Sequence, residues 1–201
     1  EAWSYDWQHD DAMVQRAVEA GRQRMVEYRR MVDPLRGPAV RLGLEVDLRR
    51  DGSLLLHPDD RAGWDVLVGA LHRIPAWGEG ELNQQRAEEL FMTETEKMLA
   101  TGVDVLAHPF RIFRRSGMER PPHLYEPLAE LLARYGVAAE INYHTNDPDP
   151  AFVSACVERG VKIALGSDSH DLAEVGEFWP HLDCLARAGV APGKLPEVLL
   201  G

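Results

Sequence analysis

Six residues carry the chemistry of a metal site and fall at comparable places in the chain. Glu45 lies late in an alternating apolar run. His72, His108 and Asn142 each end such a run, and Asp168 and His170 lie just past another. Neutral imidazoles and carboxylates are the donor set that suits Zn, Mn or Fe. A lone histidine at a strand end is more often a hydrogen-bonded structural residue. Three histidines and two carboxylates at equivalent positions shift that balance. Glu45 weighs most, because a carboxylate in an apolar strand is costly when unpaired and no Lys or Arg stands at the matching strand ends. In GSDSH (166–170), Asp168 and His170 point the same way if the stretch stays extended. An Asx turn or a helix N-cap is the plainer alternative there.

The elements that must position these residues alternate. DAMVQRAVEAGRQRMVEYRRMV (11–32) has a rough helical stripe, with Asp10 or Asp11 as its cap and a possible bend at Gly21. AVRLGLEVDL (39–48) has strand periodicity. Val40, Leu42, Leu44, Val46 and Leu48 share one face, and Arg41, Gly43, Glu45 and Asp47 the other. WDVLVGALH (64–72), VDVLAHP (103–109), VAAEIN (137–142) and VKIALG (161–166) read as further strands. Helices are expected from the segments 83–102, 122–136 and 148–160, with two more in the tail. Gly102 and Gly136 are the helix stops. Strand–helix alternation with short turns means parallel strands joined by right-handed crossovers. That places the C-terminal strand ends, and with them the six residues, on one ligand-binding rim. The whole chain, 1–201, is read as one domain. Five strands is short of a closed α/β barrel, which wants about 250 residues.

Composition narrows the function. The chain has 201 residues, a net charge of −11, 45% hydrophobic content, eight histidines and two cysteines. The acidic balance argues against a nucleic acid as the main partner, because phosphate-dominated binding needs clustered Lys and Arg. It also argues against anionic membrane surfaces, and no apolar run approaches the roughly 18 residues of a spanning helix. Cys156 and Cys184 cannot form a disulfide framework, so a cytoplasmic location is expected.

GLEVDL with Glu45, GALH with His72, AHP with His108, EIN with Asn142 and GSDSH with Asp168 and His170 occur in that order from about Val40 to Gly176. Together they resemble the PHP (polymerase and histidinol phosphatase) superfamily, most closely its histidinol-phosphatase-like branch. The resemblance implies a distorted (β/α)7 TIM-like barrel and a phosphoesterase with two or three divalent metal ions (Zn, Mn or Fe). By that resemblance Glu45 bridges two ions, His72 and His108 bind the second, Asp168 the first and His170 the third. Glu45 and Asp168 are then the catalytic carboxylates. The family's opening H-x-H strand, and a second strand with another histidine, have no counterpart in these residues, and the chain opens on Glu1 rather than Met. The expectation is therefore a barrel incomplete at its N-terminus, whether by truncation, processing or loss. His9 is read as a solvated loop residue.

With the site complete, two ions roughly 3.5–4 Å apart would be expected to lower the pKa of a shared water and clamp the phosphate oxygens. Arginine suits phosphate through its planar fork, and Arg111, Arg114, Arg115 and Arg120 follow His108 in what reads as a rim loop. Arg111 and Arg120 are the selected substrate contacts, with Asn142 and His144 beside them. His144 is also a candidate general acid. His57, His123 and His181 read as structural or solvated, and Trp64, Trp77 and Tyr143 as core or pocket lining. The expected substrate is a small phosphomonoester, histidinol phosphate being one candidate by branch resemblance. Two other readings stand beside this one. The first is a catalytically silent or partial PHP domain that binds or scaffolds. The second is a metal hydrolase of C–N or C–O bonds, disfavoured because Lys162 opens its strand rather than ending it. The oligomeric state is open.

Overall fold

The computed structural model describes residues 11–74 and 82–201. His9 and Trp77 lie outside the described residues. A long helix, α1 (Asp11–Val32), leads the fold and stays helical through Gly21. Its second half lies against the segment before the second strand. Tyr28 stacks on Trp64 at 5.9 Å, the Arg29 guanidinium sits 5.0 Å over the same indole, and Arg22 pairs with Asp59 at 3.0 Å.

Five strands then form one parallel sheet in chain order: β1 (Gly43–Asp47), β2 (Val66–Ala70), β3 (Val105–Leu106), β4 (Ala138–Asn142) and β5 (Ile163–Gly166). A strand order that never reverses is the winding of a barrel wall, not of a doubly wound sheet. Between and after the strands come α2 (Gln84–Ala100), α3 (Arg111–Arg115), α4 (Tyr125–Tyr135), α5 (Pro150–Glu158), α6 (Trp179–Arg187) and α7 (Leu195–Val198). Among the described residues no helix is long and apolar enough to cross a membrane.

The local chemistry explains most boundaries. Asn83 caps α2 by accepting the Arg86 amide at 2.9 Å. Asp149 caps α5 ahead of Pro150. Gly136 ends α4 at φ 68°, where a side chain would be strained. The alternation expected for 39–48 is seen in burial: Leu42, Val46 and Leu48 are buried while Glu45 is exposed. The regular strand is shorter than expected, and Val40 is exposed, because the chain there closes a tight turn with Gly37. The core sits between sheet and helices, with an aromatic cluster of Phe91, Phe110, Phe113, Tyr125 and Phe152 on ring separations of 5.1–6.3 Å.

One expectation is corrected. The stretch after His108 is not wholly a rim loop. It contains α3, whose Arg111, Ile112 and Phe113 are buried. Five residues are too few to display a helical period, and their basic content suggested solvent. Of the two readings given to His181, structural or solvated, the structural one holds. His181 is 2% exposed, and its Nε2–H donates to the Gly166 carbonyl at 2.9 Å. His57 and His123 are ordinary, the first accepting the Asp59 amide and the second meeting Glu88.

Candidate metal centre

Parallel register brings the strand ends level: Asp47 faces Ala70, Gly69 faces Leu106, and Asn142 faces Gly166. Glu45 on β1, His72 just past β2 and His108 just past β3 thereby converge. His72 Nε2 lies 3.2 Å from Glu45 Oε1, and His108 Nε2 lies 3.9 Å from it. All three donor atoms fall within 4.8 Å of one another. The Glu45 side chain keeps 40% of its surface exposed, so an ion or ligand can reach it from the rim.

The electrostatics fit a cation. Burial alone would raise the Glu45 carboxyl, but hydrogen bonds and charge from His108 and His72 outweigh it and hold the group well below the usual carboxylate range. Burial would lower His72, yet Asp47 and Glu45 raise it to about 9. His108, nearly fully buried, is pushed down by desolvation, with the charges of Arg111 and His72 adding to that against the pull of Glu45. Two imidazoles and a carboxylate are a donor set for Zn, Mn or Fe.

Asp47, which the sequence reading left among the outward polar residues, fixes the His72 ring. Its Oδ2 accepts the Nδ1–H at 3.0 Å and its Oδ1 the His72 amide at 3.3 Å. That leaves Nε2 facing Glu45: without metal its N–H donates to the carboxylate, and an ion bound there would replace that proton, giving the carboxylate–histidine–metal arrangement. The available signal was its i, i+2 spacing from Glu45 on one strand face. Asp47→Asn should lower metal affinity about 10–100-fold, read by competition with a chromophoric chelator. The same variant tests the proton. A raised His72 pKa stabilises the metal-free fold below about pH 6.5, and that contribution is lost as pH rises towards 9. Chemical denaturation of chelator-treated protein should show the decline, and Asp47→Asn should flatten it.

Glu140 was also missed, although it lies two residues before Asn142 on the same strand. Its Oε2 accepts the His108 amide at 2.7 Å and holds that residue at φ 31°. Burial pushes its carboxyl up to about 7, with the charges of Glu45 and Asp168 adding against the His108 amide and Asn142. Gly166 makes room for it, since a Cβ there would stand 1.8 Å from Glu140 Oε1.

The remaining candidates fall in three places. Asp168 does not stay extended; it is left-handed at φ 46°. That turn sends Asp168 and His170 different ways. Asp168 Oδ2 accepts from Arg111 Nη1 at 2.9 Å and from Asn142 Nδ2 at 3.3 Å. Arg111, 3% exposed, also donates to His108 Nε2 at 2.5 Å, so its guanidinium stands between His108 and Asp168. Asn142 is fully buried and orients the next loop by accepting the His144 amide at 2.9 Å. His170 instead stacks on His144, ring centroids 4.1 Å apart, near Glu174. Arg120 lies elsewhere on the rim, in a cavity of about 660 Å³ with Arg114, Tyr125 and Asn146, paired to Asp149 at 3.7 Å and Asp147 at 3.8 Å. Trp64 and Tyr143 are partly buried against the core.

A family model described as PHP domain matches residues 11–144, about two thirds of the chain. The chain belongs to the PHP domain family. Its parallel sheet is that of the PHP TIM-like α/β barrel, without closure among the described residues. The probable phosphatase YcdX of Escherichia coli O81 (strain ED1a) is 31% identical over 118 residues, 53% of this chain and 45% of the relative. A probable histidinol-phosphatase of Deinococcus radiodurans is 28% identical over 156 residues, 68% and 60% of the two chains. The DNA polymerase/3'-5' exonuclease PolX of Bacillus subtilis (strain 168) is 28% identical over 135 residues, 65% and 22%. This PHP chain thus spans about half the length of the first two relatives.

Proposed function

We propose that the protein is a metal-dependent phosphoesterase acting on a small phosphomonoester. The observation that carries this reading is the meeting of Glu45, His72 and His108 from three strand ends, with His72 Nε2 turned towards the carboxylate by Asp47. A divalent ion (Zn, Mn or Fe) held there supplies Lewis acidity for phosphate oxygens and acidifies a water at neutral pH. Glu45, His72 and His108 hold it, and Glu140 fixes the His108 backbone. Asp168 and His170 are the further ligands in a site of two or three ions. Asn142 anchors Asp168 and the His144 loop, and His144, Arg111 and Arg120 are the candidate substrate contacts. With a net charge of −11, attraction for an anionic metabolite has to be local to the ions. Relatives named as a probable phosphatase and a probable histidinol-phosphatase support the substrate class. The two free cysteines, both buried, support a cytoplasmic setting.

One observation favours a second reading, a silent PHP domain that binds or scaffolds. The Arg111 guanidinium already occupies the His108 lone pair and the Asp168 carboxylate, doing the electrostatic work of a cation. One experiment separates the two. Chelator-stripped protein is reloaded with Mn or Zn, its metal content measured, and p-nitrophenyl phosphate and histidinol phosphate are offered. Metal-dependent release of phosphate is expected. Metal-loaded protein inert towards both esters would sink the enzymatic reading.

A further inference from the structure

We propose that His144, His170 and Glu174 form a separate divalent transition-metal site, built from the loops after β4 and β5. The three offer donor atoms within 4.8 Å of one another and share no ligand with the Glu45 group. His170 is already set for coordination. Its Nδ1–H donates to the Asp168 carbonyl at 2.8 Å, which fixes the tautomer and leaves the Nε2 lone pair outward. Glu174 Oε2 accepts the His170 amide at 2.8 Å, tying the carboxylate to the histidine while its other oxygen stays available. His144 is held from behind, its amide on Asn142 Oδ1 at 2.9 Å. Among the described residues its ring makes no hydrogen bond or ion pair; its neighbour is the His170 ring, stacked at 4.1 Å and 15°.

The geometry also says what binding would require. Tetrahedral zinc with bonds of about 2.0–2.1 Å holds its donors about 3.4 Å apart. The donor atoms lie within 4.8 Å of one another, and the exposed His170 and Glu174 can close the remaining distance by side-chain rotation. Two imidazoles and one carboxylate favour zinc, cobalt or nickel over magnesium or calcium. Three protein ligands leave a fourth position open. Arg111 separates this group from the first, bonding Asp168 and the His144 carbonyl.

The site draws His170 and His144 from residues the proposed phosphoesterase reading also uses, but it needs none of Glu45, His72 and His108, so Glu45→Gln separates the failure of one from the failure of the other. The test uses the full chain, stripped with chelator and titrated with zinc and with cobalt(II). Metal content, calorimetric stoichiometry and the cobalt absorption spectrum are the readouts. Wild type should bind one equivalent more than Glu174→Gln or His144→Phe, each of which should weaken that equivalent at least tenfold. Phenylalanine retains the stack on His170, and Glu174→Gln changes only a loop carboxylate, so at least one variant remains folded. Glu45→Gln should keep this equivalent while losing the other. Unchanged stoichiometry and affinity in both loop variants would overturn the proposal, as would loss of all bound metal in Glu45→Gln. Imidazole nitrogen shifts of His144 and His170 on zinc addition give a second reading, and their absence at saturating zinc counts against it.

Discussion

Glu45→Gln should cost the protein its metal at the three-strand junction and reduce phosphomonoester hydrolysis by more than about 100-fold. The side chain keeps its size, so the effect is electrostatic. Glu45 Oε1 is the common neighbour of His72 Nε2 at 3.2 Å and His108 Nε2 at 3.9 Å. Neutralising it removes the anionic ligand, and Asp47 cannot take its place because its carboxylate is bonded to Nδ1 on the far side of the His72 ring. Loss of an outer-shell partner alone costs about 10–100-fold in affinity or activity, so loss of a direct ligand should exceed that. Because the Glu45 side chain is 40% exposed, the fold itself should tolerate the change, although chelator-treated protein should melt somewhat lower because the carboxylate that pairs with His72 is gone. Elemental analysis and p-nitrophenyl phosphate turnover are the measurements. A variant that retains both metal and rate would remove Glu45 from the site.

Arg111→Met should act in two opposite directions. The guanidinium is 3% exposed and bridges His108 Nε2 and Asp168 Oδ2. Removing one partner of a buried pair leaves the other charge uncompensated, at a cost of about 3–5 kcal/mol. At about 2–4 °C per kcal/mol for a chain of this size, chelator-treated protein should melt roughly 10 °C lower. Metal affinity should instead rise about tenfold or more. The same lone pair of His108 cannot accept from Arg111 and bind an ion, and releasing a charge-assisted hydrogen bond is worth about 1.5–3 kcal/mol. Added zinc should therefore restore part of the lost melting temperature, since the ion takes over the guanidinium's role. A variant whose affinity falls would show that Arg111 supports the metal rather than competing with it.

How much of this was legible beforehand follows from periodicity. Strands β1, β2, β4 and β5 and helices α2, α4 and α5 were readable because their apolar positions repeat at a fixed interval and their ends carry Asn83, Gly136 or Asp149. Glu45, His72 and His108 were readable because parallel strands bring equivalent ends together whatever their separation in sequence. Asp47 and Glu140 were visible in principle as i, i+2 neighbours of Glu45 and Asn142, but a polar residue on a strand face gives no sign of whether it meets solvent or a histidine amide. The α3 helix, five residues long, carries no periodic signal at all.

The sequence by itself determined the alternating α/β order, the acidic character and which residue types stand at the strand ends, since each is a property of local pattern. Only the tertiary structure decided how those residues are shared out. Asp168 and His170 are two residues apart, yet the left-handed turn at Asp168 directs one to Arg111 and Asn142 and the other to His144 and Glu174. Arg111 reads as a substrate-contacting arginine in a rim loop, but α3, with Ile112 and Phe113 buried, carries its guanidinium inward to His108. The physical reason is common to both: a backbone dihedral and a buried neighbour set a side chain's direction, and neither is encoded in the spacing of the residue that depends on it.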